Sequence, residues 1–331
     1  MTPSSSLAEP RRFFTQLIVG SSSEQKNLLR LLAILLAVAV IGAAISGGVL
    51  LRPQNLSNIL QQNAVLLVVV TAQFLVIVTG GFDLSVGAAV ALASVVFVGS
   101  LDHGVGLAIL AALVSGLLLG LVNGVLVTFV RLPSFVVTLG TMQIGYSLAK
   151  VWTGGGTIDA APGGATIPRQ LNSFYSTNLI GLPLPVWVAL MVLVLVAIYL
   201  RTSTGCFVFA VGGNSRAARL AGISTSRVRL VAYATASLAA SVAGLLFSLR
   251  VGYGDPQAGV MLPLDSIAAV SIGGVSLTGG RGSLIAGFMG VLIIAMLDNL
   301  MNLLGVNVTL QPVVKGVIVI LTVFAYGLRR D

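Results

Sequence analysis

Residues 210–223 read AVGGNSRAARLAGI, and this stretch decides how the rest of the chain is organised. Asn214 or Ser215 can cap a helix by accepting a backbone N–H bond. Ala217, Ala218, Leu220 and Ala221 favour helix, and Gly222 can take the left-handed conformation that ends one. About two turns result. Arg216 and Arg219 share one face at a spacing of three, and Leu220 with Ile223 supplies an apolar contact. The helix is short, basic and suited to water, yet the segments flanking it, 184–201 and 229–252, are apolar enough for lipid. Two readings follow. Either the arginines only fix topology, or the helix is where another polypeptide docks.

Working outward, the same contrast recurs. The chain has 331 residues, 56% hydrophobic and 8% charged, too few charges to cover a soluble surface. Each bilayer crossing needs about 20 residues, because ~30 Å of hydrocarbon is met at ~1.5 Å per residue. Ten apolar segments are legible: 31–50, 58–79, 84–100, 105–130, 134–153, 184–201, 229–252, 265–280, 283–303 and 312–328. Helices satisfy their own backbone in lipid, so the expected fold is an all-α polytopic bundle of about ten transmembrane helices. Alternation from a cytoplasmic N-terminus puts thirteen of the 18 Lys and Arg residues inside, leaving Arg52, Lys150, Arg169, Arg250 and Lys315 on the other side. This obeys the positive-inside rule and places both termini in the cytoplasm.

The organisation expected is a cytoplasmic segment 1–30, a membrane domain 31–328 and a short cytoplasmic end 329–331. Within the domain, loop 201–229 is cytoplasmic and loop 154–183, rich in Gly, Pro, Asn, Ser and Thr, is external. The polar first 27 residues lack a cleavable signal, so the first apolar run is read as a retained span. The net charge of +9 is explained by orientation signals and calls for no nucleic acid. His103, the one histidine, sits beside Asp102 in a short turn and reads as solvated. With Cys206 the one cysteine, neither a histidine-based metal site nor an intrachain disulfide is expected, and no catalytic residue or cofactor is assigned.

Residues 80–87 (GGFDLSVG) and 273–280 (GGVSLTGG) share the pattern G-G-x-x-L-[S/T]-x-G, each between two apolar runs. A duplicated transporter fold with broken helices would show such a pair. In a chain with 39 glycines, coincidence would too. Polar residues inside apolar segments are costly and mark candidate functions. Gln61, Gln62, Asn63 and Gln73 lie in or near the second segment, and Asn123 and Asn299 lie in later ones. These amides suit either a pathway for a hydroxylated solute or bonds between helices. Asp83 and Ser85 follow the first glycine pair, where capping the next helix is favoured over touching a substrate. Asp298 is unusual so late in an apolar run. Arg250, Tyr253, Asp255, Gln257 and Asp265 gather at one external corner, as the mouth of a pathway or as a solvated loop. Trp152 and Trp187 sit near segment ends, where interfacial anchors belong.

Taken together, residues 212–223, 267–282, 80–87, 120–124 (GLVNG), 133–140 (PSFVVTLG), 302–306 (NLLGV) and 314–316 (VKG) resemble the permeases of bacterial monosaccharide ABC importers, the ribose-type group. The likeness runs from about residue 30 to 328, and the motifs keep the family's order. It implies a permease dimer (homo- or heterodimer) in the bacterial inner membrane, a separate cytoplasmic ABC ATPase, and a periplasmic or extracellular sugar-binding protein. It also implies that residues 214–222 are the coupling helix that meets the ATPase, and that the pathway works by alternating access. By omission the sequence agrees, since no G-x-x-x-x-G-K-[S/T] phosphate loop is present. Within transport, the alternatives are a nucleoside, a polyol or a sugar-like signal. An ion-coupled transporter has only Asp83 and Asp298 as coupling acids, and an intramembrane enzyme lacks a catalytic cluster.

Overall fold

The computed structural model describes residues 22–327, and they are almost wholly helical. Segments 1–21 and 328–331, including most of the expected N-terminal segment and the end 329–331, lie outside the described residues. Each of the ten apolar segments carries a helix. α1 (Ser22–Ile45) begins earlier than the apolar run does, since its first turns are polar. A kinked pair follows, α2 (Pro53–Gln62) and α3 (Ala64–Val78), then α4 (Val86–Gly99), α5 (Val105–Thr128) and α6 (Ser134–Thr153). A short α7 (Arg169–Ser176) and a hairpin of β1 (Asn178–Leu179) and β2 (Leu182–Pro183) lead into α8 (Leu184–Leu200). Beyond it come α9 (Ser203–Gly213), the small α10 (Ser215–Leu220), α11 (Thr225–Val251), α12 (Leu262–Ile272), α13 (Leu284–Leu303) and α14 (Gln311–Gly327).

The ten segments are not ten straight crossings. Among the described residues, four helices are long and apolar enough to span alone: α1, α5, α11 and α13. Two more spans arise if the bent pairs are each counted once, α2–α3 turning by 49° and α8–α9 by 81°. With 14 and 11 residues, α4 and α12 reach only about 21 and 16 Å, short of ~30 Å of hydrocarbon. Segment 265–280 is half helix and half loop, because Gly273, Gly274, Gly279 and Gly280 interrupt it.

Close approach of backbones holds the centre together. α11 packs along α5, α4 and α3. Gly116, Gly120 and Gly124 line the α5 face of that contact. A Cβ on Gly116 would lie 1.8 Å from Ser241 Oγ, and one on Gly120 would lie 2.6 Å from the Tyr233 carbonyl oxygen. Lipid tails give helices little hydrophobic reason to associate, so small residues that admit dispersion contacts are what such a seam requires. Every residue of α3 is buried, which accounts for a helix apolar on all sides.

The two glycine breaks resemble each other only at their first step. α3 ends at Gly80 (φ 80°), with Gly80 N–H donating to Ile77 O (2.9 Å) and Gly81 N–H to Val76 O (3.1 Å). α12 ends at Gly274 (φ 74°), with Gly274 N–H bonded to Ser271 O (2.9 Å) and Val275 N–H to Val270 O (3.1 Å). Both are helix stops of the Schellman kind. The shared pattern pairs Gly80 with Gly273, whereas the geometry pairs it with Gly274. The next helix starts at Val86 in one case and only at Leu284 in the other. The repetition therefore does not carry over as a matched structural register.

Loop 154–183 is ordered by specific bonds. Ile158 and Gly254 exchange backbone hydrogen bonds (2.9 and 2.7 Å). The Asp102 carboxylate accepts from the N–H groups of Gly163 and of Ala165, the latter at 3.1 Å. The hairpin tip places Ile180 (φ 52°) and Gly181 (φ 79°) at positive φ, as a two-residue type I′ turn demands. In chain order this loop precedes the bent α8–α9 arm and α10 follows it.

Candidate functional site

The basic turn is built as its residues dictate. Asn214 caps α10, its Oδ1 accepting from the N–H groups of Arg216 (3.1 Å) and Ala217 (2.9 Å). Gly222 adopts φ 82°, and the N–H groups of Gly222 and Ile223 close on the carbonyls of Arg219 and Ala218 at 3.0 Å each. Ser215 is not a second cap. Its hydroxyl donates to Val211 O (2.7 Å) and accepts from Arg229 Nη2 (2.9 Å), tying α10 to α9 and α11. Ala218 is buried, whereas Arg216, Ala217, Arg219, Ala221 and Gly222 are exposed. Leu220 departs from expectation: it is 85% exposed, whereas Ile223 is half-buried and packs on the core. The anchoring falls to Ala218, because at two turns only one small face meets the body.

The candidate pathway residues fall in four places and not in one row. First, Asp83, Ser85 and Asn123 are fully buried and bonded together. Asp83 Oδ1 accepts from Ser85 N–H (2.8 Å) and Ser85 Oγ (2.6 Å), Asn123 Nδ2 donates to Ser85 Oγ (2.6 Å), and Thr141 Oγ1 donates to Asn123 Oδ1 (2.6 Å). Ser85 stands at the start of α4 but makes no side-chain cap bond. Tyr233 adds a hydroxyl bond to Phe82 O (3.2 Å), and Ser134 Oγ accepts from Phe82 N–H (3.3 Å). Thr141, Ser134 and Tyr233 gave no signal in the sequence, since a Ser or Thr hydroxyl in a helix is easily satisfied by its own backbone and a tyrosine in an apolar run reads as ordinary packing.

Second, Gln73 is fully buried in α3 with neither amide atom bonded. Third, Gln62 and Asn63 lie at the α2–α3 kink. Asn63 Nδ2 donates to Ile59 O (2.9 Å), Arg250 Nη1 reaches Gln62 O (3.1 Å), and Tyr175 donates from its hydroxyl to Gln61 O (2.7 Å). Gln61 Nε2 returns a bond to Tyr175 O. Burial pushes the Tyr175 phenol up to about 12, against a smaller lowering by Arg250. Fourth, Asn299 pairs with Asn55, each amide donating to the other (2.8 and 3.1 Å).

The corner cluster divides as well. Arg250 turns to α2, half-buried Tyr253 stays at the corner, and Asp255 is held by Ser94 Oγ accepting from its N–H (3.1 Å). Asp265 instead faces Lys315, whose Nζ is 3.4 Å from Asp265 Oδ1 and 2.9 Å from Asp298 Oδ2. This triad clasps α12, α13 and α14 beside a small cavity lined by Ala268, Ile294, Leu297 and Met301.

Comparison with known proteins places this arrangement. The family model described as branched-chain amino acid transport system / permease component matches residues 55–323. The chain is 35% identical over 318 residues to the ribose import permease protein RbsC of Escherichia coli (strain K12), covering 95% of both chains. It is 38% identical over 291 residues to RbsC of Bacillus subtilis (strain 168), covering 87% of this chain and 89% of that one. With the fructose import permease protein FruF of Bifidobacterium longum (strain NCC 2705) it shares 38% identity over 269 residues, 80% of this chain and 75% of the relative. No solved structure matches the chain. A polytopic helical body, a capped basic turn between membrane segments and a match over most of the length agree: the chain belongs to the branched-chain amino acid transport permease family, as a membrane permease component of an ABC importer with no ATPase domain of its own.

Proposed function

We propose that this chain forms the translocation pathway of a binding-protein-dependent importer for a monosaccharide, and that α10 is the coupling helix on which a separate ATPase docks. One observation carries the reading: α10 is rigidly capped and tied to α9 and α11, yet presents Arg216, Arg219 and Leu220 to solvent. A helix fixed at its root and bare at its tip is suited to transmit force. In this reading α10 and both termini face the cytoplasm, and the α7 end, with loop 154–183, faces the sugar-binding protein outside. A second permease subunit completes the pathway. ATP-driven movement of the paired ATPases biases the pore between its two states through differential contact with α10. A monosaccharide is favoured because relatives covering most of this chain are named for ribose and fructose.

The test is the double substitution Arg216→Glu with Arg219→Glu. Membrane insertion is expected to persist, while ATPase co-purification and ATP-dependent uptake of labelled ribose or fructose into proteoliposomes are lost. Undiminished uptake would remove α10 from the role. Uptake driven by an ion gradient without ATP would replace the importer reading itself.

A further inference from the structure

Three glycine pairs far apart in sequence meet at the root of α10. Gly212 and Gly213 end α9, Gly80 and Gly81 follow α3, and Gly279 and Gly280 lie in the loop before α13. Gly280 N–H donates to Val78 O at 2.9 Å. A Cβ on Gly212 would sit 1.8 Å from Val78 O and 2.6 Å from Gly280 N. One on Gly279 would sit 2.7 Å from Gly80 N, and one on Gly280 would sit 2.6 Å from Gly213 N. At each point the neighbour is main chain. Side chains that meet can slip past one another by changing rotamer, whereas main chains in contact, with a hydrogen bond between them, cannot absorb a displacement that way.

We infer that Gly212, Gly80, Gly279 and Gly280 are positioning residues forming a transmission junction, which passes displacement of α10 directly into α3, α4, α12 and α13. This rests on the proposal that α10 is the ATPase dock. The ends of α3 and α12 and the starts of α4 and α13 all leave from the two loops at this junction. Gly279 and Gly280 hold φ of 88° and 76°, conformations that other residues rarely adopt, so the close main-chain contact at this point requires glycine. Further along the same unit, Asn27 Nδ2 donates to Gly273 O (2.9 Å) and joins α1 to it.

Two variants with a built-in control test the junction in the reconstituted complex with its ATPase. Gly212→Ala drives a methyl into Val78 O and separates the main chains. Gly213→Ala is the control, since a Cβ there meets nothing nearer than Gly280 Cα at 3.9 Å. The second variant inserts one glycine between Gly213 and Asn214, which leaves the contacts of Gly212 in place but makes the link to α10 compliant. It decides the matter if Gly212→Ala does not fold. The readouts are ATP hydrolysis, sugar uptake, and a cross-link to the ATPase from Ala221→Cys, an exposed position that keeps both arginines, in a Cys206→Ser background. The junction predicts a split: cross-link and hydrolysis persist, while uptake falls roughly tenfold, as for a lost coupling between sites. Gly213→Ala keeps both activities. Uptake at the parent level in the insertion variant overturns the junction, and so does loss of the cross-link there, because the damage is then at docking. Absence of the cross-link in the otherwise unaltered complex fails the docking proposal instead, and is told apart by appearing without any glycine change.

Discussion

At the scale of single residues, two bonds are open to direct measurement. Asn214 satisfies two N–H groups of a helix only six residues long. Asn214→Ala is expected to destabilise that turn by about 1 kcal/mol. Faster amide exchange over residues 216–220 and reduced uptake at unchanged membrane yield are the expected observations, while Asn214→Asp retains the cap and most of the uptake. Asn123→Leu removes both the donor to Ser85 and the acceptor for Thr141. Thr141 Oγ1 can fall back on Val137 O (3.1 Å) and Ser85 Oγ still donates to Asp83 Oδ1, so the loss is that of the Asn123 bonds themselves, about 1 kcal/mol each, and the purified protein should melt at a lower temperature. A melting point equal to that of the parent would show the network to be redundant. The two sites differ in how far they could be read in advance. Asn214 and Gly222 were legible because capping is local: a few neighbouring backbone groups decide it. That Asp83, Ser85 and Asn123 would bond together was not, since nothing in their spacing says which helix crosses which break.

At the scale of elements, the triad on α12, α13 and α14 explains how α14 is held. Several of its side chains, among them Val313, Val317 and Ile320, are exposed, and among the described residues Lys315, with Gln311 bonded to Asn302 (2.7 Å), ties it to the body. Lys315→Met leaves two carboxylates without their cation, and about 1–3 kcal/mol of stability should be lost, since the triad is only partly shielded from solvent. Adding Asp298→Asn should restore part of it. A double-mutant cycle on thermal unfolding in detergent measures this, and additive losses would show that the two side chains act independently. Ten helical segments were legible from hydropathy, because burial in lipid leaves a long unbroken signal. Their breaks were not. The 49° turn at Asn63 and the 81° turn between α8 and α9 come from tertiary packing, and an apolar run reads the same whether the helix inside it bends or runs straight.

At the scale of the whole molecule, the proposed orientation has a simple check. Cys206 is the sole cysteine and is exposed on α9, three residues into that helix. With α9 and α10 at the cytoplasmic end, a membrane-impermeant maleimide should leave Cys206 unlabelled in intact cells and label it in inverted vesicles. The reverse pattern would turn the protein over and put residues 214–222 beyond the reach of any ATPase. The arginines are the sequence's argument for this orientation, but they could not show that α10 projects a bare leucine next to Arg219. At 85% exposure, Leu220 is an oily knob held out into water beside Arg219. An orphan copy made without its motor would wear this knob as a sticky label, open to chaperones, proteases and other orphans. Cells that make the permease in excess should therefore clear the surplus, and Leu220→Ser should lengthen the lifetime of the unassembled subunit while weakening the assembled one.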